Sequence, residues 1–479
     1  MKPTRHPALP LAGVALTCAA LVASHFAATW TAGAHGSTTR YADPIVIAGD
    51  DLVGLEGAPL GELSVWQLHH DSWQRVLAQV DERDATGLYA ATEDRVLDAN
   101  DELVFVLGDL GEEAAEDAWP PDLNRAGPRL EAKITDPLDA EFVSYYYIFA
   151  SGQAAGEPLQ PVVAWDAAVR EVRTAEYIMG PAAQETDGFF GIKRLSLYSD
   201  PTDLVDRLKL RGTLSALGFE LPVNEETING ALALVGADLS FAPVIFGPVR
   251  VVLSANGGFA YANRFALFGG FGALDNLPGG AAGFDIKDGR LSLDFSPEAK
   301  SAIYTDPNVP AGVPIDSQPD KVPDAPVPAW RQIDFTAGRL VVLSNSLAAD
   351  AKARGYYRDD SSPADGDTGD QQSWGEHGVS APDLQSLVAT GFAREAVVLP
   401  AGRDVSSDQL AKNLAAPLEA VVTSLGGALP TVTRAATSPA TATHTPTRTR
   451  TPEATPTGGP SLLYDIYLPY LVRAAPTRR

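Results

Sequence analysis

Apolar residues along this chain fall in short runs of strand length, some alternating with polar residues and some continuous, and glycine, proline, asparagine and aspartate punctuate the gaps. Pro44–Ala48, Ser64–Leu68 and Trp73–Val80 read as strands. His69 and His70, followed by Asp71 and Ser72, fall at a hairpin tip; neighbouring residues on a strand point to opposite faces, so the pair reads as turn residues rather than as joint metal ligands. Leu103–Leu107 reads as a buried strand, and Lys133–Thr135 turns through Asp136-Pro137 into Val143–Phe149, closing a first all-β unit near Gly156. A longer series follows: Val162–Trp165, Thr174–Met179, Arg194–Tyr198, Lys209–Gly212, Val244–Ser254, Phe259–Leu267, Arg290–Phe295, Gln332–Thr336 and Arg339–Ser344. Helical periodicity is confined to Asp203–Lys209 and Ser406–Leu414. The pattern predicts an all-β protein of β-sandwich architecture, with a smaller N-terminal sandwich over residues 35–157 and a larger, long-looped one over 158–430. Glu395–Leu399 and Leu418–Thr423 are its last strands.

The two ends read differently from this body. Lys2 and Arg5 precede the apolar segment Leu11–Ala23 and the small residues Ala32-Gly33-Ala34, so residues 1–34 are expected to be a secretory signal peptide. Cys18, the single cysteine, lies inside that leader, so the mature chain is expected to lack disulfides, thiol catalysis and thiolate metal sites. Residues 431–460 are rich in Thr, Pro and Ala and cannot build a core; an extended stalk of about 90 Å follows from roughly 3.1 Å per residue. Residues 461–479 form an apolar and basic tail, interrupted by Asp465 and Pro469 and too short to span a bilayer as a helix, so no membrane span is expected in the mature chain.

Charge sharpens the picture. The whole chain carries −25, and with +2 from the leader and +4 from residues 431–479 set aside, residues 35–430 carry −31. Such a body repels nucleic acid and anionic lipid while admitting divalent cations and neutral or cationic partners.

The most concentrated chemistry lies in Gly355–Gly378, GYYRDDSSPADGDTGDQQSWGEHG, which reads as a long loop. Asp359, Asp360, Asp365, Asp367 and Asp370 are crowded there, and carboxylates so close together repel unless solvated or neutralised by a hard cation such as Ca2+. Against the twelve-residue calcium loop, Asp365 takes the first position, Asp367 the third, Ser373 the ninth and Glu376 the twelfth, while Gly369 and Asp370 reverse the expected ligand and turn glycine. A solvated acidic loop is the alternative. A second acidic segment places Asp98, Asn100 and Glu102 at period two, with Asp81 and Glu82 approaching from the preceding strand; it reads either as a second calcium or sugar-hydroxyl site or as an Asx turn entering Leu103–Leu107.

Motifs for zinc proteases, phosphate-binding loops, dinucleotide folds and nucleophile elbows are absent from the sequence. What remains for catalysis is His377 and Tyr357, as proton-transfer groups of a lyase acting beside a neutralised uronate, or Asp359 or Asp360 as one of a glycosidase pair. Trp374, Trp330 and Tyr357 could instead supply stacking faces for sugars.

The stalk with the tail segment IYLPYLVR resembles the C-terminal end of many secreted proteins of green non-sulfur bacteria. The body segments LDANDELVFVLGDLG and YYRDDSSPADGDTGD are similar to secreted all-β surface proteins of such organisms. That resemblance implies export and surface display and brings no catalytic residues to carry over. The expectation is a secreted, cell-surface protein with a binding or structural role, engaging a glycan or envelope component with the help of calcium. An extracellular polysaccharide lyase or glycosidase is the alternative.

Overall fold

The computed structural model describes Arg40 and residues 43–426, apart from 92–93, 109, 151–158, 182–191, 198–199, 217–218, 225–226, 228–241, 256–257, 270–283, 321, 345–351, 363–370, 384–394 and 401–404. The expected leader, stalk and tail, together with Asp365, Asp367 and Asp370, lie outside these residues. The fold is all-β, of sandwich type, and its sheets are antiparallel. Among the described residues no helix is long and apolar enough to cross a membrane.

The smaller sandwich packs a three-stranded sheet on a five-stranded one. The first runs β1 (Pro44–Ala48), β5 (Glu102–Val106), β4 (Ala78–Asp81). The second runs β26 (Glu419–Ser424), β6 (Arg129–Asp136), β7 (Asp139–Ala150), β2 (Leu63–His69), β3 (Ser72–Val76). Alternation drives the packing: Ile45, Ile47, Leu103 and Phe105 meet Val65, Leu130, Ile134 and Ile148 in the core between the sheets. The outer face of the five-stranded sheet is also apolar, where Trp66, Tyr147 and Phe149 are covered by Ala114 and Leu123 of the 107–128 connection. His70 and Asp71 adopt positive φ (48° and 58°), the tight hairpin turn expected at that tip.

In the larger sandwich a nine-stranded sheet has the order β14 (Ala242–Phe246), β15 (Arg250–Ala255), β16 (Gly258–Asn263), β17 (Ala266–Gly269), β25 (Glu395–Pro400), β22 (Gly338–Leu343), β21 (Trp330–Phe335), β19 (Ile303–Asp306), β20 (Val309–Pro314). Two sheets share a core with it. One is β13 (Phe219–Val223), β12 (Val205–Ala216), β18 (Phe284–Phe295), β24 (Ser373–Ala381), β23 (Arg354–Asp360), and the other β11 (Ile192–Leu197), β10 (Tyr177–Pro181), β9 (Glu171–Thr174), β8 (Val163–Asp166). β22 shows why a central strand reads as a continuous apolar run: Leu340 and Val342 face this core, while Val341 and Leu343 face the helix α1 (Ser407–Ala415) through its Leu410 and Leu414. The α1 helix is capped by Ser406, whose hydroxyl accepts from the Gln409 N–H at 3.2 Å.

Several elements differ from the sequence expectation. Asp203–Lys209 does not form a helix: from Val205 onward it is strand, because β12 pairs with β18 from Val205 to Ala216. Val244–Ser254 and Phe259–Leu267 each divide into two strands at the turns Gly247–Val249 and Arg264-Phe265. Gly355–Gly378 is not one long loop, since both of its arms are strands, with Tyr357 directly opposite His377. Finally, β26 does not close the larger sheet. It pairs with β6, so the smaller sandwich is completed by residues from the far end of the chain.

Gly378 lies opposite Ser292 where β24 and β18 run together, and a Cβ there would sit 2.1 Å from the Leu291 carbonyl oxygen and 2.5 Å from the Ser292 Cα. Both obstacles are backbone, which cannot swing aside. Gly378→Ala is therefore expected to lower stability by about 2 kcal/mol or more, read as a fall in the denaturant midpoint; an unchanged midpoint would show that the two strands separate freely.

Candidate functional site

The two faces of the β23–β24 hairpin carry different chemistry. On the core side, His377 stacks on Phe295 with ring centroids 5.4 Å apart and lies 5.9 Å from the Tyr304 ring, which in turn meets Tyr357 at 4.4 Å. His377 is 2% exposed, and its Nδ1 lies 3.1 Å from the Gly375 carbonyl oxygen. A carbonyl oxygen can only accept, so the proton sits on Nδ1 and Nε2 presents a lone pair, which finds no partner among the described residues. Burial, reinforced by the Arg331 guanidinium, pushes the imidazole down to about 3. The Tyr357 hydroxyl likewise lacks a partner, and burial pushes its ionisation upward. The structure thus brings together the two side chains expected to transfer protons, in a setting that holds both neutral.

Asp359 does structural duty. Its Oδ2 accepts the Asp316 and Ser317 N–H groups, each at 2.7 Å, and Oδ1 accepts that of Gly375 at 3.1 Å. This carboxylate pins the 315–318 turn to the irregular start of β24, where Gly375 takes φ +57° and a Cβ would stand 2.4 Å from the Ile315 Cδ1. Asp360 lies 3.9 Å from Arg358 and caps the Ser362 N–H.

On the opposite face lies a buried charge network. Glu376, 0% exposed, accepts from the Ser373 hydroxyl at 2.7 Å and from the Ser292 hydroxyl. It also lies 3.3 Å from Arg290 and 3.8 Å from the Lys209 Nζ. Lys209 contacts Asp294 at 2.7 Å and donates to the Gln372 carbonyl at 3.0 Å, while Asp294 accepts the Trp374 N–H at 2.9 Å. Arg290 covers the Tyr356 ring at 4.4 Å. Burial above all, with Glu376 adding repulsion and Lys209 opposing, holds the Asp294 carboxyl well above the usual carboxylate range. Ser373 and Glu376, expected as calcium ligands, therefore sit on a strand inside this network; the other two expected ligands, Asp365 and Asp367, are not described. Lys209, Arg290 and Asp294 were not anticipated. Their sequence signal is the alternation in Arg207-Leu-Lys-Leu-Arg and Arg290-Leu-Ser-Leu-Asp-Phe, which ordinarily marks a solvent face.

The second acidic segment is also divided. β5 begins only at Glu102, so Asp98 and Asn100 do not share its face. The Asp101 carboxylate accepts the Asp98 and Arg83 N–H groups at 2.8 and 2.9 Å, and the Asn100 amide donates to the Arg83 and Asp84 carbonyls, each at 2.8 Å. Asp81 does approach Glu102, its cross-strand partner. Between them enters Arg250 of the larger sandwich, 2.6 Å from Asp81 and 2.5 Å from Glu102, while Arg83 and the Tyr89 hydroxyl complete the Glu102 carboxylate. Gln79 closes the clasp: its Oε1 accepts the Val249 and Arg250 N–H groups, each at 2.8 Å, and its Nε2 donates to the Arg250 carbonyl at 3.1 Å. Among the described residues no group of three or more His, Cys, Asp and Glu side chains is arranged to hold a metal ion.

Arg250→Ala would strand Asp81 and Glu102 in a buried site, and breaking a buried pair from one side typically costs about 3–5 kcal/mol. A loss of that order in chemical denaturation is expected; a loss below about 1 kcal/mol would mean that water or Arg83 replaces the guanidinium. His377 generates a pH dependence. Its folded value of about 3 lies below the ordinary 6.5, so the unfolded chain binds the proton first and stability falls as pH drops below about 6.5 toward 3. The stability difference between wild type and His377→Gln should shift against wild type by on the order of 1 kcal/mol per pH unit in that window. A pH-independent difference would mean that the imidazole protonates within the fold.

Neither a protein-family model nor a curated protein matches the chain, so the chemistry of these clusters is read from their own geometry.

Proposed function

We propose that this chain is a secreted, cell-surface protein with a binding or structural role, whose binding mode is calcium-assisted contact with a glycan or envelope component. The observation that carries this reading is the inward commitment of its reactive groups. His377, sealed in the core and held neutral, is a poor general base near neutrality, where an effective base has a value close to the working pH. Asp359, Glu376, Asp294, Asp81 and Glu102 are each engaged by backbone N–H groups or cationic side chains, leaving none as one of two carboxyls facing a cleft. The leader, the Thr/Pro stalk and the resemblance of the tail support export and display. The charge of −31 over residues 35–430 supports attraction of divalent cations, with the acidic stretch of sequence around Asp365 and Asp367 as the segment through which calcium would act.

The test uses the whole secreted chain. Calorimetric titration with Ca2+ is expected to give saturable heat that is lost in the double variant Asp365→Asn, Asp367→Asn, and immobilised acidic polysaccharide should retain the wild type in Ca2+ but not in chelator. Absence of heat and of retention would remove the calcium-assisted reading. Shortening of the polysaccharide, with new reducing ends or unsaturated uronates, would replace the binding role with the lyase or glycosidase.

A further inference from the structure

The buried network on the outer face of β12, β18 and β24 contains an arrangement that an ordinary salt bridge does not require. The Lys209 Nζ touches the Asp294 carboxyl at 2.7 Å, a second carboxyl, that of Glu376, stands 3.8 Å from the same nitrogen, and all three side chains are 0% exposed. Burying two opposite charges is costly even when they are paired, because neither recovers its hydration. Joining the two groups would remove both charges together. The chain also has no disulfide available to it, its single cysteine being Cys18.

We infer that Lys209 and Asp294 are the partners of a self-formed intramolecular amide bond, with Glu376 carrying the proton. The step balances without any co-reactant. The Lys209 ammonium passes a proton through the Glu376 carboxylate to the Asp294 carboxylate, and the freed amine attacks the Cγ of the Asp294 carboxyl so protonated. The N–C bond forms and the C–OH bond breaks. Glu376 then takes the extra proton from the attacking nitrogen and hands it to the departing hydroxyl, which leaves as water, so that a neutral secondary amide remains. Three features of the site favour this course. The Trp374 N–H, 2.9 Å from Asp294 Oδ1, supports the negative oxygen of the tetrahedral intermediate. Burial raises the Asp294 carboxyl well above the usual carboxylate range, which favours its taking the proton that Lys209 gives up. Exclusion of water disfavours the reverse hydrolysis. Charge also closes: beforehand Lys209 and Arg290 face Asp294 and Glu376, and afterwards Glu376 retains Arg290 at 3.3 Å.

β12 and β18 are adjacent in the sheet, and their register places Lys209 opposite Ser292, one pleat from Asp294, so the bond needs no rearrangement of the strands. It would close residues 210–293 into a covalent loop that includes β13 to β17, restricting the unfolded chain as a disulfide does.

Intact-mass measurement of the whole secreted chain decides the matter, referred to the N terminus observed in the same sample. Wild type is expected to be lighter than its sequence by one water, to resist trypsin after Lys209, and to yield a branched peptide joining Lys209 to Asp294. Lys209→Arg, Asp294→Ala and Glu376→Gln should each show the full mass and melt at lower temperature. A wild-type chain of full mass, cleaved normally after Lys209, would overturn the bond, and that result does not depend on any variant folding. A Glu376→Gln chain linked as completely as wild type would overturn the proton-carrying step.

Discussion

The guanidinium of Arg250 is the contact on which the relation between the two sandwiches depends. It is carried by the second strand of the larger sheet, yet its partners Asp81 and Glu102 belong to the smaller one, and Gln79 fixes the backbone on either side of it. A planar fork with several donors can satisfy two carboxylates at once, which an ammonium cannot do with the same geometry. Around this polar contact the apolar seal is narrow. Val46 and Val104 on the outer face of the three-stranded sheet meet Val249, and Tyr89 packs with Ile245 and Val252. The Gly247 position adds a steric condition, since a Cβ there would lie 1.9 Å from Gln79 Oε1.

The same preference for satisfied buried charge recurs inside the larger sandwich, where Lys209, Arg290, Asp294 and Glu376 occupy a sheet face that alternation alone would assign to solvent. An acidic protein of this size has to place many carboxylates, and several of the least exposed are those that meet a guanidinium, an ammonium or several backbone N–H groups. This inward placement also bears on function. The residues that look most reactive in the sequence are used to hold strands together.

Much of the fold was legible because its strands obey simple periods. Alternation marked strands of the small sandwich, and the unbroken apolar run Leu340–Leu343 marked the strand expected over Arg339–Ser344. The helix Ser407–Ala415 was visible from its helical spacing, read over Ser406–Leu414. Where reading failed, tertiary pairing had overridden local pattern. Val205–Lys209 carries a helical spacing but is held as strand by β18. The arms of the acidic stretch looked like loop because polar residues such as Glu376, His377 and Ser373 are buried there by partners far away in sequence. The meeting of Tyr357 with His377 is a matter of register, which spacing along one strand cannot reveal. The approach of Asp81 to Glu102 was foreseen from adjacent strands, whereas the cation that neutralises both lies 169 and 148 residues further along the chain.

The return of β26 to the sheet begun by β2, β3, β6 and β7 has a mechanical consequence. The first and last described strands both belong to the smaller sandwich, so the larger one is inserted within it and both of its connections lead back to the same neighbour. Tension applied between the two ends of the body would enter at β1 and leave at β26, crossing only the smaller sandwich while its sheets stay packed. The nine-stranded sheet and its covering layers would hang beside the load rather than carry it. A pull applied on the C-terminal side of β26 would then test its pairing with β6, and the core of the larger sandwich would feel it only after that strand had peeled away.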